Sequence, residues 1–417
     1  MPSEGDEDVT DDQPNWSRRI RAMRQARGWT QSQAAEELRR HTDQPLPDAD
    51  NLTRRWKAWE RGENKPSPFY TPLIAATLGT VTAALFPPEH RSAGVDLLGT
   101  TGMDTLEIVS RLQVSDVNDA TLDAVRITVD RLCSEYASRN PADLVFEGRQ
   151  WLRRLVEMQE QRLTLGQKRE TIELAGWLAL LVGCLEYDLG DRGAAEATRR
   201  AALSLGAEAG SNGIVGWAHE MRAWFALTSG DYRGVVAAAE AGQAAAGDHS
   251  VAVQLIAQEA KAYARMGRLP EMRDALERGR VLLDSIPYPE NVDNHFVVDP
   301  SKFDFYAMDC YRHSGENELA RELSDEVIRV STDFDRRERW PMRIAEAQIT
   351  LGVVAAREGD LDEAVSRGRR ALAGDRRSLP SLAMVSRDLG HVLAEQYAGE
   401  PEAEAYLEQL RAMQRAS

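Results

Sequence analysis

Apolar residues recur at helical spacing along almost the whole chain, with glycine and proline separating the helical stretches. Between Trp16 and Phe86 the stretches are short, and Pro87-Pro88 ends this region. From about residue 104 the pattern is nearly continuous and rich in Ala, Leu, Glu and Arg. Apolar positions three and four residues apart form one face of a helix, whereas a half-buried strand needs strict alternation. We therefore predict an all-α protein.

A glycine followed by a polar residue recurs at intervals of 40, 37, 48, 44 and 40 residues. The glycines concerned are Gly190, Gly230, Gly267, Gly315, Gly359 and Gly399. Glycine often ends a helix in a left-handed conformation, and an interval near 40 residues fits one helical hairpin with its connection. Small residues at matching offsets, such as Gly183 and Ala195, make these repeats similar to tetratricopeptide repeats. The pattern predicts a solenoid of helical hairpins.

Charge and composition divide the chain into four segments. Residues 1–14 contain six acidic residues and no basic ones, and we expect a disordered tail. Residues 15–86 form the predicted first domain, residues 87–103 a linker, and residues 104–417 the helical-repeat domain. The net charge is −16, yet residues 15–70 carry twelve Lys and Arg against seven Asp and Glu. Because phosphate attraction acts over about 8 Å at physiological salt, this local surplus permits nucleic-acid binding by the first domain.

The first domain contains a sequence motif with a known counterpart. Residues 17–38 predict a helix, a turn at Gly28, and a second helix that begins after Thr30. A third helix is predicted over residues 49–61, with a fourth after it. The motif RGWTQSQAA, followed by WERG and then PS, resembles the phage-repressor and Cro class of helix-turn-helix proteins, also called the xenobiotic-response-element family. The resemblance covers residues 17–79 and implies a DNA-binding domain.

The resemblance also implies roles for individual residues. The implied DNA contacts are Gln31, Gln33, Thr53, Arg54, Arg55, Lys57 and Lys65. Arg24 and Glu60 match positions that form an ion pair between the first and third helices in this family. The connection RRHTDQPLPDADN between helices two and three is about eleven residues longer than in the compact phage proteins. The alternative interpretation of the basic residues on the third helix is a solvated helix face without DNA contacts.

Residues 286–311 interrupt the repeat pattern with prolines, charges and aromatic residues. Regulators of actinobacteria with this two-part layout carry a similar stretch, which the resemblance extends to. Two interpretations are open. Polar groups of the stretch could bind a ligand in the groove of the solenoid, and the candidates are His295, Asp299, Lys302 and Tyr306. Alternatively the stretch is a structural plug between unequal repeats, with Phe296, Phe303 and Phe305 in the core.

Several function classes lack support in the sequence. It contains no phosphate-binding loop, no GxSxG or HExxH motif, and no Cys–His spacing typical of a catalytic or metal site. We therefore expect no enzyme activity, no cofactor and no bound metal. No stretch approaches the roughly 18 apolar residues of a membrane helix. The three scattered cysteines and the acidic N-terminus favour a cytoplasmic protein without disulfides.

These observations predict a DNA-binding transcription regulator that senses a signal through its repeat domain. Its expected partners are double-stranded DNA, a second copy of the chain in a homodimer, and a peptide, small molecule or protein in the repeat groove. The layout resembles that of the peptide-responsive regulators of Gram-positive bacteria, which is an analogy of fold only. The alternative is an interaction scaffold whose first domain does not bind specific DNA.

Overall fold

The computed structural model describes residues 14–42, 44–86 and 115–416. These residues form α-helices, one short 3₁₀ helix and a single isolated β-bridge, with no strand among them. The prediction of an all-α protein is therefore confirmed for the described part of the chain. The chain divides into two compact units, residues 1–104 and 105–417, called here the N-terminal and C-terminal units. The predicted linker, residues 87–103, and all but Pro14 of the predicted tail lie outside the described residues.

The N-terminal unit is a small helical domain around one core. Its helices are α1 (Asn15–Ala26), α2 (Gln31–Leu38), α3 (Ala49–Arg61), α4 (Tyr70–Thr77) and α5 (Thr82–Leu85), with a 3₁₀ turn at Arg39–His41. The side chains that fill the core completely include Ile20, Leu38, Leu52, Trp56 and Ile74. Helix α3 packs against both α1 and α2, so its orientation is fixed by two neighbours.

Local interactions set the ends of the helices in this unit. Thr30 and Gln33 form a reciprocal capping box at the start of α2, where the Gln33 amide N–H donates to the Thr30 hydroxyl at 3.2 Å. Asp48 caps α3 by accepting from the backbone N–H of Asn51 at 2.8 Å. Gly62 ends α3 at φ +75°, and a Cβ atom there would lie 2.7 Å from Cδ of Pro14. A larger residue at this position would therefore be strained in both backbone and packing.

The C-terminal unit contains the remaining described helices. They are α6 (Asp119–Glu135), α7 (Pro141–Gln159), α8 (Leu165–Asp188), α9 (Arg192–Ala209), α10 (Asn212–Ser229), α11 (Tyr232–Ala246), α12 (Val251–Arg265), α13 (Leu269–Ser285), α14 (Pro300–Ser314), α15 (Asn317–Val330), α16 (Pro341–Arg357), α17 (Leu361–Leu372), α18 (Leu379–Gln396) and α19 (Pro401–Ala416). From α8 onward, consecutive helices pack in pairs as hairpins.

The turns of these hairpins lie where the glycine pattern predicts them. All six predicted turn glycines have positive φ angles, between 70° and 95°. The aspartates that follow three of them, Asp191, Asp231 and Asp360, each accept a hydrogen bond from a backbone N–H in the first turn of the next helix. The Gly-Asp pair therefore ends one helix and begins the next, since both unpaired helix ends find a partner there.

The first helices of the six hairpins form a closed circuit. Each of α8, α10, α12, α14 and α16 packs against the next one in this series, and α18 follows α16. Helix α18 then returns to contact α8 and α10. The open concave groove expected of a solenoid is therefore replaced by an enclosed central space, because the superhelix closes on its own beginning.

Candidate DNA-contact face and ligand cavity

Helix α3 separates its apolar and basic residues onto opposite faces. Leu52, Trp56 and Trp59 are buried in the core of the N-terminal unit. Arg54, Arg55 and Lys57 are exposed, and none of the three forms an ion pair with a described carboxylate. Because these cations have no internal partner, the exposed face of α3 retains its full positive charge for an external anion. We call this set the basic face of α3.

The structure places the other predicted contact residues around this face. The Thr53 side chain is half-buried, and its hydroxyl donates to the α3 backbone carbonyl of Ala49 at 2.8 Å. Gln33 is exposed, and its Oε1 accepts from the Thr30 amide at 2.8 Å as part of the capping box. Lys65 is exposed beyond the end of α3.

Gln31 has an internal partner that the sequence pattern does not reveal. Its Nε2 donates to Oε2 of Glu60 at 2.8 Å, and the residue is half-buried. The amide therefore helps to hold α2 against α3. This hydrogen bond gives Gln31 a structural role, whether or not the residue also touches DNA.

Glu60 is a buried carboxylate that joins three helices. It accepts from Arg24 at 2.6 Å and 2.9 Å and from Nε1 of Trp56 at 2.7 Å, in addition to Gln31. Its side chain is fully buried, so this ion pair is not the surface pair whose loss costs about 1 kcal/mol or less. Burial by itself raises the pKa of Glu60, but the hydrogen bonds from Arg24, Gln31 and Trp56 lower it below its ordinary value. The carboxylate thus fixes α3 relative to α1 and α2.

In the C-terminal unit, the 286–311 segment is built into the core. Phe296 packs between Trp177 and Trp217, with ring centroids 5.5 Å and 5.3 Å away. The backbone N–H of His295 donates to the carbonyl of Cys133 at 3.1 Å, and the ring of His295 lies 3.8 Å from that of Tyr136. These contacts agree with the plug interpretation, since an isolated loop would not be held by two other parts of the unit.

The four predicted ligand residues have different surroundings. Asp299 is the N-cap of α14 and accepts from the backbone N–H of Ser301 and Lys302, at 3.3 Å and 3.2 Å. It does not line a cavity. His295, Lys302 and Tyr306, by contrast, all line one cavity of about 900 Å³. The segment is therefore both a plug and part of a cavity wall, so the two interpretations are compatible.

Lys302 connects the segment to α14 from inside the unit. Its Nζ donates to the carbonyls of His295 and Val297 at 2.7 Å and 3.0 Å, and lies 4.9 Å from the ring centroid of Trp217. Burial, with a contribution from the positive charge of Arg343, lowers the pKa of Lys302 to about 7. The side chain thus has a structural role and a protonation state that changes near neutral pH.

Most of the cavity wall comes from residues that the sequence interpretation missed. Helices α10, α12, α14, α16 and α18 all contribute to it. The polar wall residues outside the 286–311 segment include Glu220, Gln254, Gln258, Lys261, Arg343 and Glu346. One pattern could have identified three of them: Gln254, Gln258 and Lys261 lie at helical spacing within α12, whose residues 251–262 are otherwise almost entirely apolar. Buried polar residues on one helical face indicate an internal polar site.

Two amides converge on one carboxylate in this wall. Gln254 and Gln258 both donate through Nε2 to Oε1 of Glu220, at 2.8 Å and 2.7 Å. Burial raises the pKa of Glu220, although these two hydrogen bonds oppose the increase. Burial likewise raises the pKa of Glu346. The cavity therefore contains carboxyl groups whose charge is incompletely compensated.

The closure of the helix circuit lies beside the cavity. Nε1 of Trp224, on α10, donates to Oγ of Ser381, on α18, at 2.9 Å. Both residues line the cavity. A ligand in this space would contact both sides of the closure at once.

Other classes of site find no support in the described residues. No group of His, Cys, Asp and Glu in that part of the chain is arranged to hold a metal ion. None of the described helices is both long and apolar enough to cross a membrane. No protein-family model matches the chain, and no curated protein is significantly similar to it. The candidate sites therefore depend on geometry and chemistry alone.

Proposed function

We propose that this protein is a sequence-specific DNA-binding transcription regulator whose C-terminal unit senses a ligand. The observation that carries the proposal is the basic face of α3, which presents Arg54, Arg55 and Lys57 without internal partners on a helix held rigidly by Glu60. An α-helix fits the major groove, where Arg and Lys contact guanine O6 and N7 or phosphates. The motif similarity to helix-turn-helix proteins supports the same assignment.

The proposal is tested by selecting bound duplexes from a random-sequence pool with the full chain. A regulator enriches one sequence, and its affinity for that sequence falls steeply with added salt because bound counterions are released. Scrambled duplexes of the same length are the control. An interaction scaffold, the alternative function, enriches no sequence.

In this proposal the C-terminal unit is a sensor similar to tetratricopeptide solenoids. The enclosed cavity supports the sensing role, because it lies where the first and last hairpins of the circuit meet. A ligand there changes DNA affinity only to the extent that it prefers one conformation of the protein over another. The expected regulated state is therefore one that differs in the closure of the circuit.

A homodimer in the cytoplasm completes the proposal. One small head offers few base contacts, and two heads on a two-fold axis match a palindromic operator. The three cysteines are all buried free thiols, which agrees with a reducing compartment. The proposed regulator needs no cofactor and no metal.

A further inference from the structure

Three buried oxygens in the cavity wall have no hydrogen-bond donor among the described residues. They are Oε1 of Gln254, Oε1 of Gln258 and Oε2 of Glu346. The three side chains are at least nine-tenths buried. A buried acceptor without a donor is costly, so an incoming N–H group that reaches these atoms would be favoured.

The same wall contains a cation without a carboxylate partner. Arg343 packs on the ring of Trp340 at 4.3 Å and reaches Oγ of Ser301 only at 3.5 Å. No described carboxylate lies within 4.0 Å of its guanidinium, unlike the buried Arg312 and Arg265, which both pair with carboxylates. Burial lowers the pKa of Arg343, which is the expected result of incomplete compensation. An acidic group of a ligand would supply the missing charge.

Between these polar groups the wall is apolar and aromatic. The contributing side chains are Trp224, Leu227, Phe305, Trp340, Met342 and Met384. Aromatic and methionine side chains of this kind bind flat or irregular apolar groups. A cavity volume of about 900 Å³ lies within the range of about 300–1,000 Å³ that is typical of sites for small organic molecules.

We infer that this cavity binds a small bipolar organic molecule, with an N–H donor group for Gln254, Gln258 and Glu346 and an acidic group for Arg343. Its apolar part packs on the aromatic wall. The inference rests on the proposed function in one respect only, since it takes this molecule to be the sensed signal. Binding itself requires no DNA and is measured without it.

Three probes with the same indole ring test the inference by titration calorimetry on the full chain. Tryptophan carries both an amine and a carboxylate, tryptamine carries the amine alone, and indole-3-propionate carries the acid alone. Tryptophan is expected to bind about tenfold more tightly than either single-headed probe, since each charged hydrogen bond contributes that much. Equal affinities for the three probes, or no binding by any of them, would overturn the inference.

Two variants assign each head group to its partner. Arg343→Met is expected to remove the advantage of tryptophan over tryptamine, and Glu346→Gln to weaken tryptophan and tryptamine but not indole-3-propionate. The matched controls are Arg321→Met and Glu358→Gln, which change an exposed ion pair outside the cavity. If the cavity variants change all three probes equally, the assignment is wrong. The comparison of probes on the unchanged protein remains decisive if a variant does not fold.

The outcome is separable from that of the proposed function. Preferential binding of the bipolar probe by a chain that selects no DNA sequence would support the cavity assignment and refute the regulator. Selection of a DNA sequence by a chain that binds none of the probes would do the reverse.

Discussion

Arg376 and Asp188 are joined by a hydrogen-bonded ion pair of 2.8 Å although 188 residues separate them in the chain. Both side chains are almost fully buried, and Asp188 also accepts from the hydroxyl of Tyr136 at 2.7 Å. Arg376 donates in addition to the backbone carbonyl of Tyr136. The pair thus fastens the segment before α18 to the end of α8, which is one point where the helix circuit closes.

Arg376→Met should therefore destabilise the closure. Removing one partner of a buried ion pair leaves the other charge uncompensated, and the expected loss is about 3–5 kcal/mol in the free energy of unfolding of the C-terminal unit. Denaturant unfolding followed by circular dichroism measures this loss. The neighbouring Arg377→Met is the control, because Arg377 has no carboxylate partner among the described residues. Equal stability of the two variants would contradict the role given to Arg376.

Glu60→Gln should destabilise the N-terminal unit more than an exposed pair would. The substitution leaves the largely buried Arg24 without its carboxylate, so we expect a loss of about 3–5 kcal/mol. The control is Glu63→Gln, which removes an exposed pair with Arg61. The measurement is the unfolding of the N-terminal unit, monitored by its tryptophan fluorescence. A loss no larger than that of the control would refute the hub role of Glu60.

The same carboxylate predicts the acid sensitivity of the N-terminal unit. The native pKa of Glu60 is lower than the ordinary 4.5. Its stabilising contribution is therefore complete above about pH 4.5 and is lost as the pH falls through the lower native value. Unfolding midpoints measured between pH 3 and pH 6 should decline less in Glu60→Gln than in the parent chain. Identical slopes would show that other groups dominate acid unfolding.

Lys302 predicts a pH dependence of the opposite sign in the C-terminal unit. Its native pKa of about 7 lies below the ordinary 10.5. The unfolded chain therefore binds more protons than the native one between these values, and this contribution to stability rises with pH. Denaturant midpoints at pH 7 and pH 9 should show a rise in the parent chain that Lys302→Met reduces. An unchanged rise in the variant would place its origin in another group.

Light scattering tests the assembly. The full chain is expected at twice the 46.4 kDa mass of one copy, because two heads are needed for a palindromic site. The measurement at tens of micromolar chain is compared with one at tenfold dilution. A monomer at the higher concentration would contradict the proposed homodimer.

The sequence predicted features that depend on neighbouring residues. The turn glycines, exemplified by Gly190 with Asp191, and the cap at Thr30 are local, so their patterns suffice. The closure through Arg376 and Asp188 was not predictable, since no local pattern links residues so far apart.

The cavity was predictable only in part, for a similar reason. His295, Lys302 and Tyr306 belong to a segment that visibly breaks the repeat, and all three line the cavity. Glu220 and Glu346 lie on different hairpins within otherwise regular helices, and only the closed circuit brings them to one wall. Polar residues on separate helices cannot be assigned to one site until the packing of those helices is known.

The central claim is tested most directly by the equilibrium affinity of Arg54→Ala/Arg55→Ala for a duplex selected by the parent chain. Both side chains are exposed, so helicity and melting temperature should stay unchanged. Each lost guanine contact costs about 1–3 kcal/mol, and we expect the affinity to fall at least about tenfold. The control Arg153→Ala/Arg154→Ala removes two exposed arginines from α7 in the C-terminal unit and should bind like the parent. Parental affinity in the Arg54/Arg55 variant would contradict DNA recognition by the basic face of α3.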